Sequence, residues 1–449
     1  MNATKILSDK ELLDSLSFCV FDLETTGGNH DTDQIIEIGL VKIEKQQIVA
    51  EKHFMVKPEI EIPIFIQRLT SISPSDMKHA KKIEEIIDEI LEFMGDSVLV
   101  AHNVSFDVPF FNSVLRRLGR PTLQNKSICT VLMTKYLIPD LLNSNLNYMS
   151  KIFGIEHAKA HRALDDTKAT AALLQNYLSI FSRKGINKIN HLYYPRNRYE
   201  LDRVNFEVKE GINPIIEKLG EIKTPYLLTV KGENGIILFT LPGKKTETEL
   251  TYIKKNISQM KWELATLRIF GSFLEAFIHF NSYFGKIDAD IKNEIMQFLW
   301  KTHFNTAPQN QILAEDKTDV PLPSPAEYGD FVVLHHLIPE QFAIIPLLAM
   351  HPKSELIFRY PGHKKKLIQY INSKSLKLAA NKVKKTFYPP AIIPFLNRYL
   401  EKAYKDPDYS DIFLFKKSFP QKSEAEFYSC LESFLKKKPQ ISNYPKQYL

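Results

Sequence analysis

The first residues in this sequence whose types and spacing suggest chemistry are two carboxylates, Asp22 and Glu24, which close its first apolar run. Side chains at positions i and i+2 of a β-strand point to the same face, so these two would lie side by side. Neighbouring carboxylates at the end of a buried strand repel each other and are costly to bury without a counter-charge. Hard divalent cations with oxygen ligands would supply that charge. Taken alone, however, the pair is more typical of a structural role.

A third acidic residue follows a second apolar strand, Val98 to Ala101. Ser105 is a residue type that often caps the start of a helix, which would place Asp107 in the first helical turn. An acidic side chain there either complements the helix dipole, which needs no catalysis, or contributes another oxygen ligand.

His161 and Asp166 form the third element. Five residues correspond to about 140° around a continuous helix, so the two side chains cannot share one helical face. They converge only if His161 lies in the loop before the helix and Asp166 lies in its first turns. The segment from Gly154 to Lys159 supports such a loop. A histidine near an aspartate is usually a hydrogen-bonded pair, and only sometimes a general base.

The elements that must position these residues alternate between strand and helix over the first 180 residues. Turn residues from Gly27 to Asp31 favour antiparallel pairing of the first two strands. Helical spacing is clear in the apolar residues from Ile83 to Met94. The sequence therefore predicts an α/β fold with a mixed sheet covered by helices. We expect strands at about 17–22, 34–43, 53–56 and 97–101, and helices at about 83–94, 106–118 and 162–177.

Taken together, the order, element type and spacing of the three motifs are much more specific than each motif alone. Residues 14–180 resemble the DEDDh (DnaQ-like) exonucleases, the family of the proofreading epsilon subunit of bacterial DNA polymerase III. The segments Asp22–Gly27 and Ile35–Gly39 look most like its DNA-acting members. The tyrosine-type branch of that superfamily has a tyrosine four residues before the last aspartate, where this chain has Arg162.

This resemblance implies an RNase H-like mixed β-sheet flanked by helices and a 3′→5′ exonuclease that uses two Mg²⁺ or Mn²⁺ ions. The implied metal ligands are Asp22, Glu24, Asp107 and Asp166, with His161 as the general base and Thr25 and Thr26 as contacts to the terminal nucleotide. Three further polar residues near the motifs are interpreted as structural or supporting positions: Glu37, His102 and Asp165.

Composition limits the remaining possibilities. The chain has 449 residues, a net charge of +7 and only three cysteines, which excludes a disulfide scaffold. No signal peptide or membrane-spanning run is read, so we expect a cytoplasmic protein without a membrane partner. Residues 1–180 carry a net charge of −5 and the remainder carries +12. An acidic N-terminal part and a basic C-terminal part suggest that the first concentrates carboxylates for catalysis and the second binds a polyanion. Surface lysines can also serve solubility alone.

Changes in composition divide the chain into five segments. The predicted segments are an exonuclease domain (1–180), a basic and aromatic linker (181–204), a middle α/β domain (205–303), a Pro-rich linker (304–330) and a basic C-terminal domain (331–449), the last two domains being α/β or α+β.

The middle segment bears a weaker resemblance to the GIY-YIG endonuclease domain found in nucleotide-excision-repair nucleases. Tyr226, the Gly235–Phe239 segment and Glu275 fall roughly where that domain has its two tyrosine motifs and its metal-binding glutamate. Phe239 replaces the second tyrosine, and no arginine follows at a convincing place. A degenerate module without nuclease chemistry and an unrelated α/β domain both fit, and we expect no second active site.

The C-terminal segment has lysine-rich clusters at 359–366, 382–385 and 436–438, with aromatic residues between the basic ones. This mixture is typical of surfaces that follow phosphates and stack on bases, and also of a solvated basic face.

Three functions remain open from the sequence. The first is a DNA exonuclease that releases nucleoside 5′-monophosphates in replication proofreading or DNA repair. It would act on single-stranded 3′ ends and have a DNA polymerase or repair complex as a possible partner. The second is an exonuclease that trims RNA 3′ ends, and the third is a non-catalytic scaffold that binds DNA or a polymerase. Five charges converging in one pocket weigh against the scaffold.

Overall fold

A computed structural model describes most of the chain: residues 12–138, 141–157, 160–189, 202–244, 246–306, 320–321, 328–379, 387–407 and 410–437. Most of the two predicted linkers, the basic cluster at 382–385 and Lys438 lie outside the described residues. The chain divides into two compact units, residues 1–200 and 201–448, and each is described by itself.

Unit 1 is built on a five-stranded mixed sheet with the strand order β3-β2-β1-β4-β5. Strand β1 pairs antiparallel with β2 and parallel with β4, and β4 pairs parallel with β5. The strands are β1 (Ser17–Thr25), β2 (Ile35–Glu44), β3 (Gln47–Met55), β4 (Val98–Ala101) and β5 (Ser127–Cys129). The helices are α1 (Ile64–Thr70), α2 (Ile83–Met94), α3 (Val104–Arg117), α4 (Thr130–Leu137), α5 (Leu146–Phe153) and α6 (Ala163–Arg183). The predicted α/β architecture, a mixed sheet flanked by helices, is confirmed for this unit.

Side chains alternate along β1 between the hydrophobic core and the face that carries Asp22 and Glu24. Cys19, Phe21 and Leu23 are buried in a core with apolar residues of α2 and α3. Asp22 and Glu24 therefore point to the opposite face, on which α6 packs against β1 and β2. The period of two that the sequence showed is thus what directs both carboxylates to one side of the sheet.

Unit 2 contains two four-stranded antiparallel sheets and one short two-stranded sheet. The strand orders are β6-β9-β7-β8, β13-β12-β11-β15 and β10-β14. The strands are β6 (Arg203–Glu207), β7 (Tyr226–Lys231), β8 (Ile237–Gly243), β9 (Leu264–Ile269), β10 (Val320–Pro321), β11 (Phe331–His335), β12 (Gln341–Pro346), β13 (Leu356–Arg359), β14 (Phe387–Tyr388) and β15 (Ile412–Phe415). The helices are α7 (Asn213–Glu221), α8 (Glu247–Ile257), α9 (Phe273–Phe284), α10 (Ala289–Phe304), α11 (Lys364–Ala379), α12 (Ile393–Lys405), α13 (Ser418–Lys422) and α14 (Glu424–Lys436).

The two larger sheets of unit 2 belong to one packed body. Phe273 and Phe277 of α9 lie against Phe395 of α12, with ring centroids 6.3 and 4.8 Å apart. Gly271 approaches β11 so closely that an added Cβ would lie 1.9 Å from the carbonyl oxygen of His335. Within the part of the chain that the structure describes, no helix is long and apolar enough to cross a membrane.

Candidate active site

The pairing of β1 with β2 places acidic residues at the end of the central strand. Asp22 lies opposite Gly39, and Glu24 lies opposite Glu37. Directly opposed residues of an antiparallel pair point to the same face, so three carboxylates face α6 from two adjacent strands.

Asp107 reaches the same site from α3, as the sequence predicted. The helix begins at Val104 and its N-cap is Asn103, so the expectation that Ser105 caps it is wrong. The Ser105 hydroxyl instead donates to Oδ1 of Asn103 at 2.8 Å. Asp107 is nevertheless in the first turn, is only 4% exposed, and accepts a hydrogen bond from the backbone N–H of Leu23. That bond ties the helix directly to the strand between the two β1 carboxylates.

His161 and Asp166 converge because the backbone turns sharply before α6. His161 lies in the preceding loop with a φ of +62°, and Asp166 lies in the first turns of the helix. The backbone N–H of His161 donates to Oδ2 of Asp166 at 3.1 Å. The exposed His161 ring, Glu24 and Asp166 each have one nitrogen or oxygen atom within 4.8 Å of the others. Both predictions for this element, a histidine in the loop and an aspartate in the helix, are confirmed in position.

Burial, and for Asp22 and Glu24 also the charge of neighbouring carboxylates, raises the pKa values of these acidic residues. Burial, followed by the charges of Asp107 and Asp166, raises the pKa of Asp22 well above its usual range. Burial and neighbouring carboxylates raise the pKa of Glu24 to about 8. Burial raises the pKa of Asp107 to about 7, against hydrogen bonds from backbone amides. Such a cluster is stable at neutral pH as protonated acids or as carboxylates around added positive charge.

The chemistry of this donor set fits divalent cations. Glu24 and Asp166 offer oxygen atoms beside the His161 ring, and Asp22, from the same strand as Glu24, and Asp107, from α3, would add hard oxygen ligands. Cations would offset both the burial of these charges and the repulsion between them. Exonucleases of the DEDDh class generally need divalent metal ions.

Glu37 lies beside this cluster, but its carboxylate is already saturated by the protein. Its side chain is 1% exposed and contacts Nε2 of His53 at 2.6 Å. It also accepts bonds from Nη2 of Arg162 and from the backbone N–H of Ala163, both at 2.9 Å. Burial would raise the pKa of Glu37, but these hydrogen bonds outweigh it and lower the pKa to about 2. Glu37 is therefore an ionised anchor for the start of α6.

His157 is a functional candidate that the sequence reasoning missed. Its Nε2 lies 2.5 Å from Oδ1 of Asp166, so Asp166 is held by His157 on one oxygen and by the amide of His161 on the other. The side chain of His157 is 5% exposed. No periodicity or motif marks this residue, because it lies in a loop and meets Asp166 only after the chain has turned.

The hydroxyls of Thr25 and Thr26 are used within their own loop. Thr25 donates to the carbonyl oxygen of Gly27 at 2.6 Å, and Thr26 lies 3.2 Å from Oδ1 of Asp33. The Thr26 N–H donates to the carbonyl oxygen of Gln34. These bonds fix the loop that follows the two β1 carboxylates, beside the site.

His102 and Asp165 do not belong to the carboxylate cluster among the described contacts. The two ring nitrogens of His102 lie 2.9 Å from the Thr130 hydroxyl and 2.7 Å from the carbonyl oxygen of Ser144. Burial lowers the pKa of His102, which makes it a neutral link between β4, α4 and the loop before α5.

The candidate residues of the middle segment serve contacts within unit 2. The hydroxyl of Tyr226 donates to the buried carboxylate of Glu249 at 3.1 Å. That carboxylate also accepts the backbone N–H groups of Lys244 and Thr246, which closes the turn before α8. Glu275 accepts the backbone N–H of Gly271 at 3.1 Å. These contacts link each carboxylate to a turn or helix start within unit 2.

Unit 1 thus has a mixed sheet flanked by helices and a carboxylate cluster at the end of its central strand, as expected of a DEDDh-type nuclease domain. Comparison with known proteins finds matches in the same part of the chain. Residues 19–174 match the family model RNase_T, described as Exonuclease. The match lies within unit 1 and covers about a third of the chain.

Similar proteins match the same part of the chain. A PolC-type DNA polymerase III of Clostridium perfringens is 39% identical over 193 residues, which are 43% of this chain and 13% of that protein. The 3′-5′ exonuclease DinG of Staphylococcus aureus is 33% identical over 194 residues, which are 43% of this chain and 22% of that protein. The chain thus spans less than a quarter of the length of either relative.

A solved structure resembles the chain as well. It is the nuclease domain of 3′hExo, a DEDDh family member, bound to rAMP, with 19% identity and a TM-score of 0.35 over 40% of this chain and 98% of that one.

Proposed function

We propose that this protein is a divalent-metal-dependent 3′→5′ exonuclease that removes nucleotides from the 3′ ends of DNA, preferably single-stranded ends, and releases nucleoside 5′-monophosphates. The observation that carries the proposal is the convergence of four carboxylates and an exposed histidine at one end of β1. A non-catalytic scaffold has no use for a cluster whose members raise one another's pKa values.

Each residue has a distinct proposed task. Asp22, Glu24, Asp107 and Asp166 would hold two cations, either Mg²⁺ or Mn²⁺. Bound there, the cations would supply the positive charge that neutralises the site and activates water for attack on phosphorus.

The exposed ring of His161 would accept the proton of the attacking water as the new P–O bond forms and the bond to the 3′-oxygen breaks. Thr25 and Thr26 would line the position of the terminal nucleotide through the loop that their hydroxyls brace. In this scheme Glu37 and His157 touch neither substrate nor water, but hold the segment that carries His161 and Asp166.

DNA is the proposed substrate because the similar sequences belong to proteins named as a DNA polymerase and a 3′-5′ exonuclease. The same names support a role in replication proofreading or DNA repair and a polymerase or repair complex as partner. RNA trimming by the same site is the alternative outcome of the test below.

The test is a cleavage assay with the full chain and 5′-labelled single-stranded DNA, duplex DNA and RNA of one sequence, in Mg²⁺, Mn²⁺ or EDTA. We expect stepwise 3′ shortening of DNA that EDTA abolishes and that Asp22→Asn reduces at least about a thousandfold. Asp88→Asn is the matched control, because this exposed residue pairs with Arg120 on the surface. Cleavage in EDTA, or full activity of Asp22→Asn, would refute the mechanism, and activity on RNA alone would refute DNA as the substrate.

A further inference from the structure

Two basic clusters that are far apart in the sequence meet at one cavity in unit 2. The cavity has a volume of about 540 Å³ and lies at the end of the sheet β13-β12-β11-β15, at the turn between β11 and β12. Lys364, the first residue of α11, and Lys436, the last residue of α14, both line it. The cavity therefore brings together the clusters at 359–366 and 436–438 that the sequence showed only as separate runs.

Lys364 is held in place by two aromatic rings. Its Nζ lies 5.0 Å from the ring centroid of Tyr360 and 4.9 Å from that of Tyr428. The hydroxyl of Tyr428 also donates to the carbonyl oxygen of Lys364 at 3.0 Å. Cation–π contacts fix an ammonium group without neutralising its charge, so Lys364 presents a pre-positioned cation at the cavity wall.

Lys436 pairs with Glu432 at 2.7 Å, one helical turn away. Both side chains are well exposed, at 74% and 46%, and an exposed pair of this kind is worth about 0–1 kcal/mol. Glu432 also accepts a hydrogen bond from the hydroxyl of Tyr360 at 3.3 Å, which gives its carboxylate a partner when a phosphate takes its place on Lys436. Lys365, Lys366 and Lys437 are exposed near these two lysines and extend the positive charge beyond the cavity.

Another part of the cavity lining is apolar. It comes from the turn between β11 and β12, from Pro361 and from Leu435 of α14. The same turn also places Glu340 at the cavity, where it pairs with Arg359 at 3.2 Å. Behind the apolar lining, the ring of His335 stacks on Phe434, with centroids 4.1 Å apart and planes at 22°. The apolar residues that line the cavity are Leu337, Ile338, Pro339, Pro361 and Leu435.

We propose that this cavity binds one nucleotide of a single-stranded nucleic acid, with the base against the apolar wall and the flanking phosphates on Lys364, Lys436 and the outer lysines. The apolar lining can contact the base, and Lys364 and Lys436 can bind the flanking phosphates. The cavity therefore suits both the apolar and the charged part of a nucleotide. The volume lies within the range of about 300–1,000 Å³ of sites for molecules of this size. The site is formed by unit 2 alone, so it does not depend on the hydrolytic activity proposed for unit 1.

The first experiment measures the charge contribution. Fluorescence anisotropy of a labelled single-stranded 12-mer is recorded with the full chain in EDTA, so that no cleavage occurs, over a series of salt concentrations. The variant Lys364→Gln/Lys436→Gln should weaken binding about tenfold and lower the slope of log K against log salt by about 1.4, since each contact to a single strand contributes about 0.7. Lys254→Gln/Lys255→Gln, an exposed pair on α8 with the same change in charge, should leave both values unchanged.

The second experiment measures the contribution of the base. Leu435→Trp, at a half-buried position in the last turn of α14, should fill the cavity and weaken single-strand binding while leaving duplex binding unchanged. Near-ultraviolet circular dichroism and thermal unfolding would show that each variant is folded. Normal binding by the Lys364→Gln/Lys436→Gln variant, an equal loss in the control pair, or no effect of Leu435→Trp would each overturn the proposal.

The two proposals can fail separately. Binding in EDTA needs no hydrolysis, and Lys364→Gln/Lys436→Gln should hydrolyse a p-nitrophenyl ester of thymidine 5′-monophosphate at the unaltered rate. If Lys364→Gln/Lys436→Gln loses ester hydrolysis, the cavity is not independent of the exonuclease site, and this part of the proposal is wrong.

Discussion

Replacing Gly39 with alanine should disable the site without touching any of its functional groups. Gly39 lies on β2 opposite Asp22, and α6 begins directly above it. A Cβ at this position would lie 2.3 Å from the carbonyl oxygen and 2.5 Å from the carbonyl carbon of Ala163. Both are backbone atoms and cannot rotate away. Restoring a tolerable separation of about 3.2 Å requires a movement of about 1 Å between β2 and the start of α6.

A shift of this size should appear mainly as lost activity. His161 lies two residues before Ala163 and Asp166 three residues after it, so both move with the helix start while Asp22 stays on β1. A misplacement of about 1 Å can lower the rate about a hundredfold. Overpacking of a tight contact also costs about 1–3 kcal/mol of stability.

The assay compares kcat on a 5′-labelled single strand with the urea unfolding midpoint for Gly39→Ala. Gly220→Ala is the control, because a Cβ there meets no atom within 4 Å and the residue lies in α7. We expect a loss of about a hundredfold in kcat for Gly39→Ala with the protein still folded, and no loss for Gly220→Ala. If Gly39→Ala changes neither kcat nor the unfolding midpoint, the close approach of α6 to Gly39 does not position the site.

Three further predictions concern charge within unit 1. The pKa values of Asp107 and Glu24 are raised in the folded state, to about 7 and about 8. In EDTA the folded state therefore binds more protons than the unfolded state between about pH 4 and pH 8. The free energy of unfolding should fall as the pH rises through this range. Asp107→Asn should therefore raise the melting temperature more at pH 8.5 than at pH 5, as thermal unfolding in EDTA would show. Glu37→Gln should destabilise the protein by about 1.5–3 kcal/mol in urea unfolding and lower kcat more than it raises KM, because Arg162 and the amide of Ala163 lose a charged acceptor. His157→Gln should weaken Mn²⁺ binding about 10–100-fold in an EPR titration, because Asp166 loses the side chain that orients it.

Each of these predictions has a result that would contradict it. A melting-temperature gain for Asp107→Asn that is the same at both pH values would show that its carboxyl does not carry the raised pKa. Equal stability of Glu37→Gln and the unaltered chain would remove the anchoring role of Glu37. An unchanged Mn²⁺ affinity of the His157 variant would show that its contact with Asp166 is incidental to metal binding.

The sequence predicted the parts of the site that depend on short-range regularities. The period of two along β1 directed Asp22 and Glu24 to one face, and the loop before α6 brought His161 towards Asp166. The start of α3 was placed two positions late, because Ser105 and Asn103 are both good helix caps and only the surroundings decide between them. Strand β5 and helices α4 and α5 were not predicted, since short segments carry too little periodicity.

Long-range packing decided the rest. Nothing local in the sequence shows that Glu37 meets Arg162 and the N–H of Ala163, since that contact needs the β1–β2 register and the close approach of α6 over Gly39. His157 likewise meets Asp166 only after the loop has turned.

The sequence by itself determined which residue types are present, which of them share a face of a strand or a helix, and that the acidic and basic charges lie in different parts of the chain. These properties follow from the fixed geometry of strands and helices and need no knowledge of distant neighbours. Only the tertiary structure decided that Glu37 anchors a helix while Glu24 faces the cluster, and that two separate lysine clusters share one cavity. The reason is physical: the state of a carboxylate or an ammonium group depends on which charges, donors and apolar walls surround it, and residues distant in the sequence supply them.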